Sequence, residues 1–201
     1  MPKSIAVLIL AAGASTRMNG MIKQLLPWGK TTLLENTVRH AKGVSDSIYV
    51  VLGAQFEKIL ESVSIDAEVI RNFNWESGMG SSVSYGLKHI LEREKPDGVM
   101  LMVADQPLMD TAYLSQLIQD FTETESKIVA TAYQNGAGVP AIFDNSLFSE
   151  LKDLQAEFGA RKIIKKYKEH VQLINPNGKE IDIDTREKYS QLTGIHKFKH
   201  E

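Results

Sequence analysis

The sequence predicts an α/β fold with a mainly parallel sheet, and three observations carry that expectation. Strand-like and helix-like segments alternate along the chain, the order in which a parallel sheet acquires its crossover helices. Residues 5–10 and 98–104 are apolar without interruption, as strands buried on both faces are. Each then breaks abruptly, the first into Ala11-Ala12-Gly13-Ala14 and the second into Asp105-Gln106-Pro107. Such breaks mark the carboxyl ends of strands, where open α/β sheets bind their ligands.

The remaining elements follow in order. Leu33, Leu34, Thr37, Val38 and Ala41 recur at helical spacing, and Gly43 is placed to end that helix. Residues 47–52 read as the second strand, 56–63 as a helix, 67–70 as a short strand and 71–75 as the start of a loop. Val83, Tyr85, Leu87, Ile90 and Leu91 form the next helical pattern. Pro107 ends the strand 98–104, because proline cannot continue a central ladder, and Asp110 is placed to cap a helix over 111–121. Residues 127–133 read as a strand and 134–138 as a turn. Pro140 confines the strand 139–143 to a sheet edge or interrupts it. A basic helix is expected over 162–170, with Ile163, Ile164 and Tyr167 inward and its lysines in water. Residues 179–184 read as a short polar edge strand, setting Asp182 and Asp184 on one side and Ile181 and Ile183 on the other. Asp184 and Thr185 are placed to cap a last helix.

No repeat, low-complexity segment or linker divides the 201 residues, so one domain over 1–193 is expected, with 194–201 a disordered C-terminal tail. That length is enough to bury a substantial core. A net charge of -2 points away from a nucleic-acid partner. The absence of cysteine excludes disulfides, thiol nucleophiles and cysteine-ligated zinc. No apolar run approaches the roughly 18 residues of a membrane span, and the first residues lack the length and cleavage site of a signal peptide. A cytoplasmic protein with no membrane partner is the expectation. His196 and His200, four apart near the end of the chain, read as part of the tail, and His89 as facing away from any site.

The loop after the first strand carries the clearest chemistry. Ala11, Ala12, Gly13 and Ala14 let a ligand approach the backbone, and Gly13 can adopt a positive φ and aim N–H groups at an anion. Ser15 and Thr16 add hydroxyls, and Arg17 and Lys23 add two full positive charges. A phosphate-binding loop is the reading. Neither G-x-x-x-x-G-K-[ST] nor G-x-G-x-x-G is present around Gly13, so it belongs to neither common class. Residues 75–82 place glycines and serines directly before a helix, where free N–H donors meet a positive helix end. Asp105, ionised at neutral pH at the sheet's carboxyl edge, suits a Mg²⁺ site completed by phosphate oxygens.

Together these segments resemble the nucleotidyltransferases, in the branch of the molybdenum cofactor cytidylyltransferases (the MobA-like NTP transferase domain). Ala11-Ala12-Gly13-Ala14-Ser15-Thr16-Arg17-Met18 is similar to that branch's A-A-G-x-S-x-R-M-G opening, and Lys23-Gln24-Leu25-Leu26 to its continuation. The interval from Arg17 to Lys23 is one residue longer than in the family pattern. Gly78 to Leu87 is similar to G-M-x-x-S-[LV]-x-x-G-L, which implies that Gly78, Ser81 and Ser82 touch the nucleotide. Asp105-Gln106-Pro107 is similar to D-[MQ]-P, which implies that Asp105 holds the metal. Val139 to Phe143, with Pro140, resembles a segment that faces the acceptor. Gly159-Ala160-Arg161 resembles the end of G-D-x-G-A-R, although Ala156-Glu157-Phe158 stand where its first glycine and aspartate would be. Asp182-Ile183-Asp184-Thr185 is similar to the family's D-I-D-T close, with Arg186 in place of proline, and implies Asp184 as second metal ligand, with Asp182 the alternative ligand or on the acceptor side.

The resemblance implies a three-layer α/β/α sandwich of the nucleotide-diphosphosugar transferase type, with a mainly parallel, mixed sheet. It implies a Mg²⁺-dependent transfer of CMP from CTP to a phosphorylated acceptor, molybdenum-loaded molybdopterin, with release of pyrophosphate. Arg17, Lys23 and Asp105 would be catalytic, and Ala11 to Ser15 would bind the nucleotide. A molybdoenzyme would be the downstream partner. Two other readings stand beside it: a transferase using GTP or a sugar phosphate, and a non-catalytic carrier that hands a cofactor to a molybdoenzyme.

Overall fold

The computed structural model describes residues 3–154 and 159–197, with side chains through 194. The chain opens with β1 (Ile5–Leu10), a hairpin of β2 (Pro27–Trp28) and β3 (Thr31–Thr32), and α1 (Leu33–Lys42). Then come β4 (Ile48–Leu52), α2 (Phe56–Ser62), β5 (Glu68–Arg71), α3 (Met79–Leu91) and β6 (Gly98–Val103). The second half holds α4 (Thr111–Glu123), β7 (Ile128–Tyr133), β8 (Gly136–Asp144), α5 (Phe148–Lys152), α6 (Arg161–Lys166), β9 (Val171–Ile174) and α7 (Arg186–Lys197). Seven strands form one sheet in the order β5-β4-β1-β6-β8-β7-β9. β8 pairs antiparallel with both neighbours, and the other pairings of that sheet are parallel.

Strand alternation sorts the core into two faces. Ala6, Leu8 and Leu10 of β1 meet Val83, Leu87 and Ile90 of α3, with α5 and α6 on the same side. Ile5, Val7 and Ile9 meet Leu34 and Val38 of α1 and Leu114, Leu117 and Phe121 of α4. Every residue of β1 is buried, and full burial of such a side chain contributes about 1.5–3 kcal/mol. The result is the three-layer sandwich expected. Gly86 lets α3 sit close against the sheet: a Cβ there would lie 2.6 Å from Leu8 Cδ1 and 2.9 Å from Val51 Cγ2. Thr32 and Glu35 form a reciprocal cap on α1, and Asp110 accepts from Tyr113 N to cap α4 as its position predicts.

Several expectations need correction. The segment 179–184 is no strand. It crosses the carboxyl end of the sheet, and a backbone bond from Ile183 N to Asp105 O, at 2.9 Å, ties it there. Ile183 is nonetheless fully buried, against Met18, Leu26, Trp28, Leu33 and Leu192, so the side-to-side alternation survives without a ladder. Pro140 lies in β8, inside the sheet rather than at its edge. The interruption alternative is the one realised. The β7–β8 register shifts between Ala130 and Thr131, and Thr131 Oγ1 donates to Pro140 O, so the missing N–H breaks no ladder rung. The basic helix ends at Lys166. A short 3-10 turn follows, and Val171–Ile174 joins the sheet beside β7. The last helix runs to Lys197, four residues beyond the expected end of the domain. His200 and the side chain of His196 lie outside the described residues, as do Ala156, Glu157 and Phe158.

Candidate functional site

β1 and β6 pair in register to their last residues, Leu10 opposite Val103. The small-residue loop and Asp105 therefore leave the sheet side by side. Between them opens a cleft of about 610 Å³. Of the residues singled out from sequence, Ala11, Ala12, Gly13, Ser15, Arg17, Lys23, Gly78, Ser82, Asp105, Gly159, Arg161, Asp182 and Asp184 line it, whereas Ala14, Ser81 and Pro140 do not.

The loop is held by a residue to which sequence reasoning gave no role. Gln24, 5% exposed, donates from Nε2 to Ala11 O at 2.6 Å and to Gly13 O at 3.2 Å. The short 3-10 turn Lys23–Leu25 puts Gln24 beneath the loop, and Lys23 N donates to Ser15 Oγ at 3.2 Å. The left-handed residue is Ser15, with φ 57, and not Gly13. Gly13 serves by leaving space: a Cβ there would meet nothing within 4 Å.

The second wall is the start of α3. Its N-cap is Gly78, with φ 97, rather than a serine. Asn72, 2% exposed, donates from Nδ2 to Ser81 Oγ and Ser82 Oγ, at 3.1 and 3.0 Å. Ser81 in turn hydrogen-bonds to Asn74 O and Gly78 O, so its hydroxyl braces the turn, while Ser82 faces the cleft. Asn72 was read from sequence only as part of a loop.

At the floor, charges of both signs meet. Lys23 Nζ lies 2.6 Å from Asp105 Oδ2 and 3.3 Å from Asp184 Oδ1, and Arg17 Nη2 lies 3.6 Å from Asp184 Oδ1. Burial of Ile183 holds Asp184 on the cleft side, where it meets the end of β6. The second oxygen of Asp105, Oδ1, is buried without a hydrogen-bond partner. An unpartnered buried carboxylate oxygen beside a second carboxylate, both already drawn to one cation, fits a hard divalent ion with oxygen ligands. Among the described residues no group of three or more His, Cys, Asp or Glu is placed to hold a metal. An ion here would complete its shell with phosphate oxygens and water, as Mg²⁺ commonly does.

The far end of the cleft is built on Gln106, which the D-Q-P motif contains but to which no role was given. Gln106 is 4% exposed and donates from Nε2 to Tyr133 OH at 2.6 Å and to Asp182 Oδ1 at 2.7 Å. Tyr133 OH donates to Val139 O. Burial raises the Asp182 carboxyl above its ordinary range, the Gln106 bond opposes this, and the negative charges of Asp105 and Asp184 add to the rise. Burial likewise raises the Tyr133 phenol. Arg161 stands 6.0 Å from the Tyr133 ring centre, and Gly159, with φ 41, lets the chain pass Met79.

With this geometry in view, comparisons with known proteins are informative. The model of the MobA-like NTP transferase domain matches residues 7–171. Bifunctional protein GlmU of Ruthia magnifica subsp. Calyptogena magnifica is 26% identical over 142 residues, 68% of this chain and 30% of its own. The chain thus spans less than a third of that relative's length. Nicotine blue oxidoreductase of Paenarthrobacter nicotinovorans is 25% identical over 196 residues, 92% of this chain and 94% of its own. Among solved structures, Rv0371c from Mycobacterium tuberculosis H37Rv superposes with a TM-score of 0.78 at 26% identity, covering 96% of this chain and 100% of that one. A structure of Rv0371c in complex with manganese matches with a TM-score of 0.74. No helix among the described residues is long and apolar enough to cross a membrane.

Proposed function

The chain belongs to the MobA-like NTP transferase family, and from that premise we propose that it transfers a nucleotidyl group from a nucleoside triphosphate to a phosphorylated acceptor. CTP and molybdenum-loaded molybdopterin are the substrates this reading favours, with pyrophosphate as the second product. One observation carries it: Arg17 and Lys23 converge with Asp105 and Asp184 beside the open Gly13 loop. A phosphate oxygen of the acceptor attacks the α-phosphorus, the bond from that phosphorus to the bridging oxygen breaks, and pyrophosphate leaves. Such chemistry needs alignment and charge neutralisation, not a protein nucleophile.

Each residue then has a task. Ala12 and Gly13 bring backbone close to the phosphates, Gln24 fixing that backbone from below. Arg17 and Lys23 neutralise charge on the departing pyrophosphate. Asp105 and Asp184 would hold a divalent ion, Mg²⁺ in this reading, which when bound supplies charge neutralisation on the phosphates. Gly78 and Ser82 border the nucleotide, and Asp182, Gly159 and Arg161 border the acceptor. The manganese-bound Rv0371c structure lends weight to a divalent ion in this fold.

The test is pyrophosphate release with Mg²⁺, CTP or GTP, and molybdenum-loaded molybdopterin, with Asp105→Ala as control. Release with CTP that the variant loses supports the reading, and Lys23→Ala is expected to lower turnover strongly without unfolding the chain. Release with GTP only keeps the mechanism and overturns the base. A sugar phosphate replacing molybdopterin as the active acceptor overturns the acceptor. Binding of nucleotide with no release from any acceptor favours a carrier.

A further inference from the structure

Lys23 links Asp105 and Asp184, the two carboxylates that would hold a divalent ion. Its ammonium lies 2.6 Å from Asp105 Oδ2 and 3.3 Å from Asp184 Oδ1. The side chain is only 19% exposed, against 71% for Arg17, which reaches just one oxygen at 3.6 Å. Both carboxylates are thus paired with one cation that belongs to the chain. A dication held by the same two carboxylates would compete with this ammonium for them, since like charges a few ångströms apart in a partly buried cleft repel strongly.

The backbone of Lys23 is tethered. It sits in the short turn Lys23–Leu25, with Lys23 N bound to Ser15 Oγ and Gln24 locked under the loop. The flexible four-carbon stem can yield, and the point charge at its end accepts any arrangement of oxygens. The loop that would receive phosphates begins directly beside it, lined by Ala12, Gly13 and Ser15.

We infer that Lys23 is the resident counter-ion of the Asp105–Asp184 pair, that it competes with a divalent ion for those carboxylates, and that a nucleoside triphosphate opens the pair to metal by drawing the ammonium onto its phosphates. This rests on the nucleotidyltransferase reading of the site. Metal alone then binds weakly, and metal and nucleotide bind with positive coupling, each raising the other's affinity by the same factor. Before nucleotide arrives, the ion pair keeps the metal site shut.

The test uses Mn²⁺ alone as the probe, followed by the loss of its free-ion paramagnetic resonance signal on titration with the full chain. Lys23→Met keeps the length of the side chain and removes the charge, and is expected to bind Mn²⁺ roughly tenfold to a hundredfold more tightly than wild type, the range that loss of a charge-assisted bond implies. Lys23→Arg restores a cation and is expected to return the affinity to the low wild-type value. Asp105→Asn, measured in parallel, reports on the metal site itself. If Asp105→Asn abolishes binding while Lys23→Met binds no more tightly than wild type, the competition is overturned and the metal site stands. If no variant binds Mn²⁺, with or without CTP, both are overturned. A rise in Lys23→Met that Lys23→Arg fails to reverse also overturns the competition, because it traces the gain to packing rather than charge.

Discussion

Replacing Gln24 by methionine tests how the candidate phosphate loop is held. Met nearly matches the shape of glutamine but has no donor. Two carbonyls lose their partner, Ala11 O at 2.6 Å and Gly13 O at 3.2 Å. Ala11 is 5% exposed, so its carbonyl is stranded away from water at a cost of about 1–3 kcal/mol. Gly13 is exposed, so its carbonyl turns to solvent and loses little. The expected loss of stability is about 2 kcal/mol, and with a urea slope of about 2 kcal/mol per molar the unfolding midpoint falls by about 1 M. The buried Trp28 provides a fluorescence signal for that curve. Because the same carbonyls set the course of the loop, CTP affinity measured by calorimetry is expected to fall roughly tenfold, equivalent to about 1.4 kcal/mol. A midpoint within about 0.25 M of wild type, together with unchanged CTP affinity, would refute the claim that Gln24 supports the loop.

Three further outcomes are expected. Ile183→Ala empties a fully buried position in the cluster of Met18, Leu26, Trp28, Leu33 and Leu192. It should cost about 2–4 kcal/mol and weaken Mn²⁺ binding by freeing Asp184, and a stability loss without change at the metal would separate packing from positioning. Gly86→Ala drives a methyl to 2.6 Å from Leu8 and should lower stability by about 1–3 kcal/mol, read from the thermal midpoint; a neutral result would mean that α3 can lift off the sheet. At Asp110, burial pushes the carboxyl pKa up, but the Lys179 ammonium, Tyr113 N and the charges of Lys179 and His40 outweigh it and hold the pKa below the ordinary value of 3.8. A depressed folded pKa means stability that is fully present above the unfolded value of about 4 and lost as pH falls from there through the lower folded pKa. The stability gap between wild type and Asp110→Asn should therefore hold from pH 7 to about pH 4 and narrow below it, toward about pH 2.5, in urea titrations, and a constant gap across that range would contradict the ion pair.

What a short window of sequence encodes was legible in advance. The apolar runs of β1 and β6 marked buried strands, because a strand covered on both faces admits few polar residues. The cap at Asp110 and the breaks after Leu10 and Ala104 were equally local. Local pattern also misled. β9, four residues directly after the stretch that reads as a basic helix, was assigned no element, and 179–184 alternates like a strand but finds no neighbour to pair with. A strand exists only where another strand offers its ladder, and that partner is not written in the segment itself.

The sequence by itself determined the α/β alternation, the loop of small residues with its cations, and the carboxylates at the chain's two later breaks. Tertiary structure alone decided which of these meet. Parallel pairing of β1 with β6 sets Gly13 beside Asp105, and burial of Ile183 swings Asp184 across 161 residues of chain to the ammonium of Lys23. It also decided which polar groups are interior. Gln24, Asn72 and Gln106 look in sequence like any surface amide, because the bonds that make them structural run to residues 9 to 76 positions away. Propensity and periodicity act over one or two turns of chain, whereas a site is assembled by contacts that only the closed sheet brings within hydrogen-bond reach.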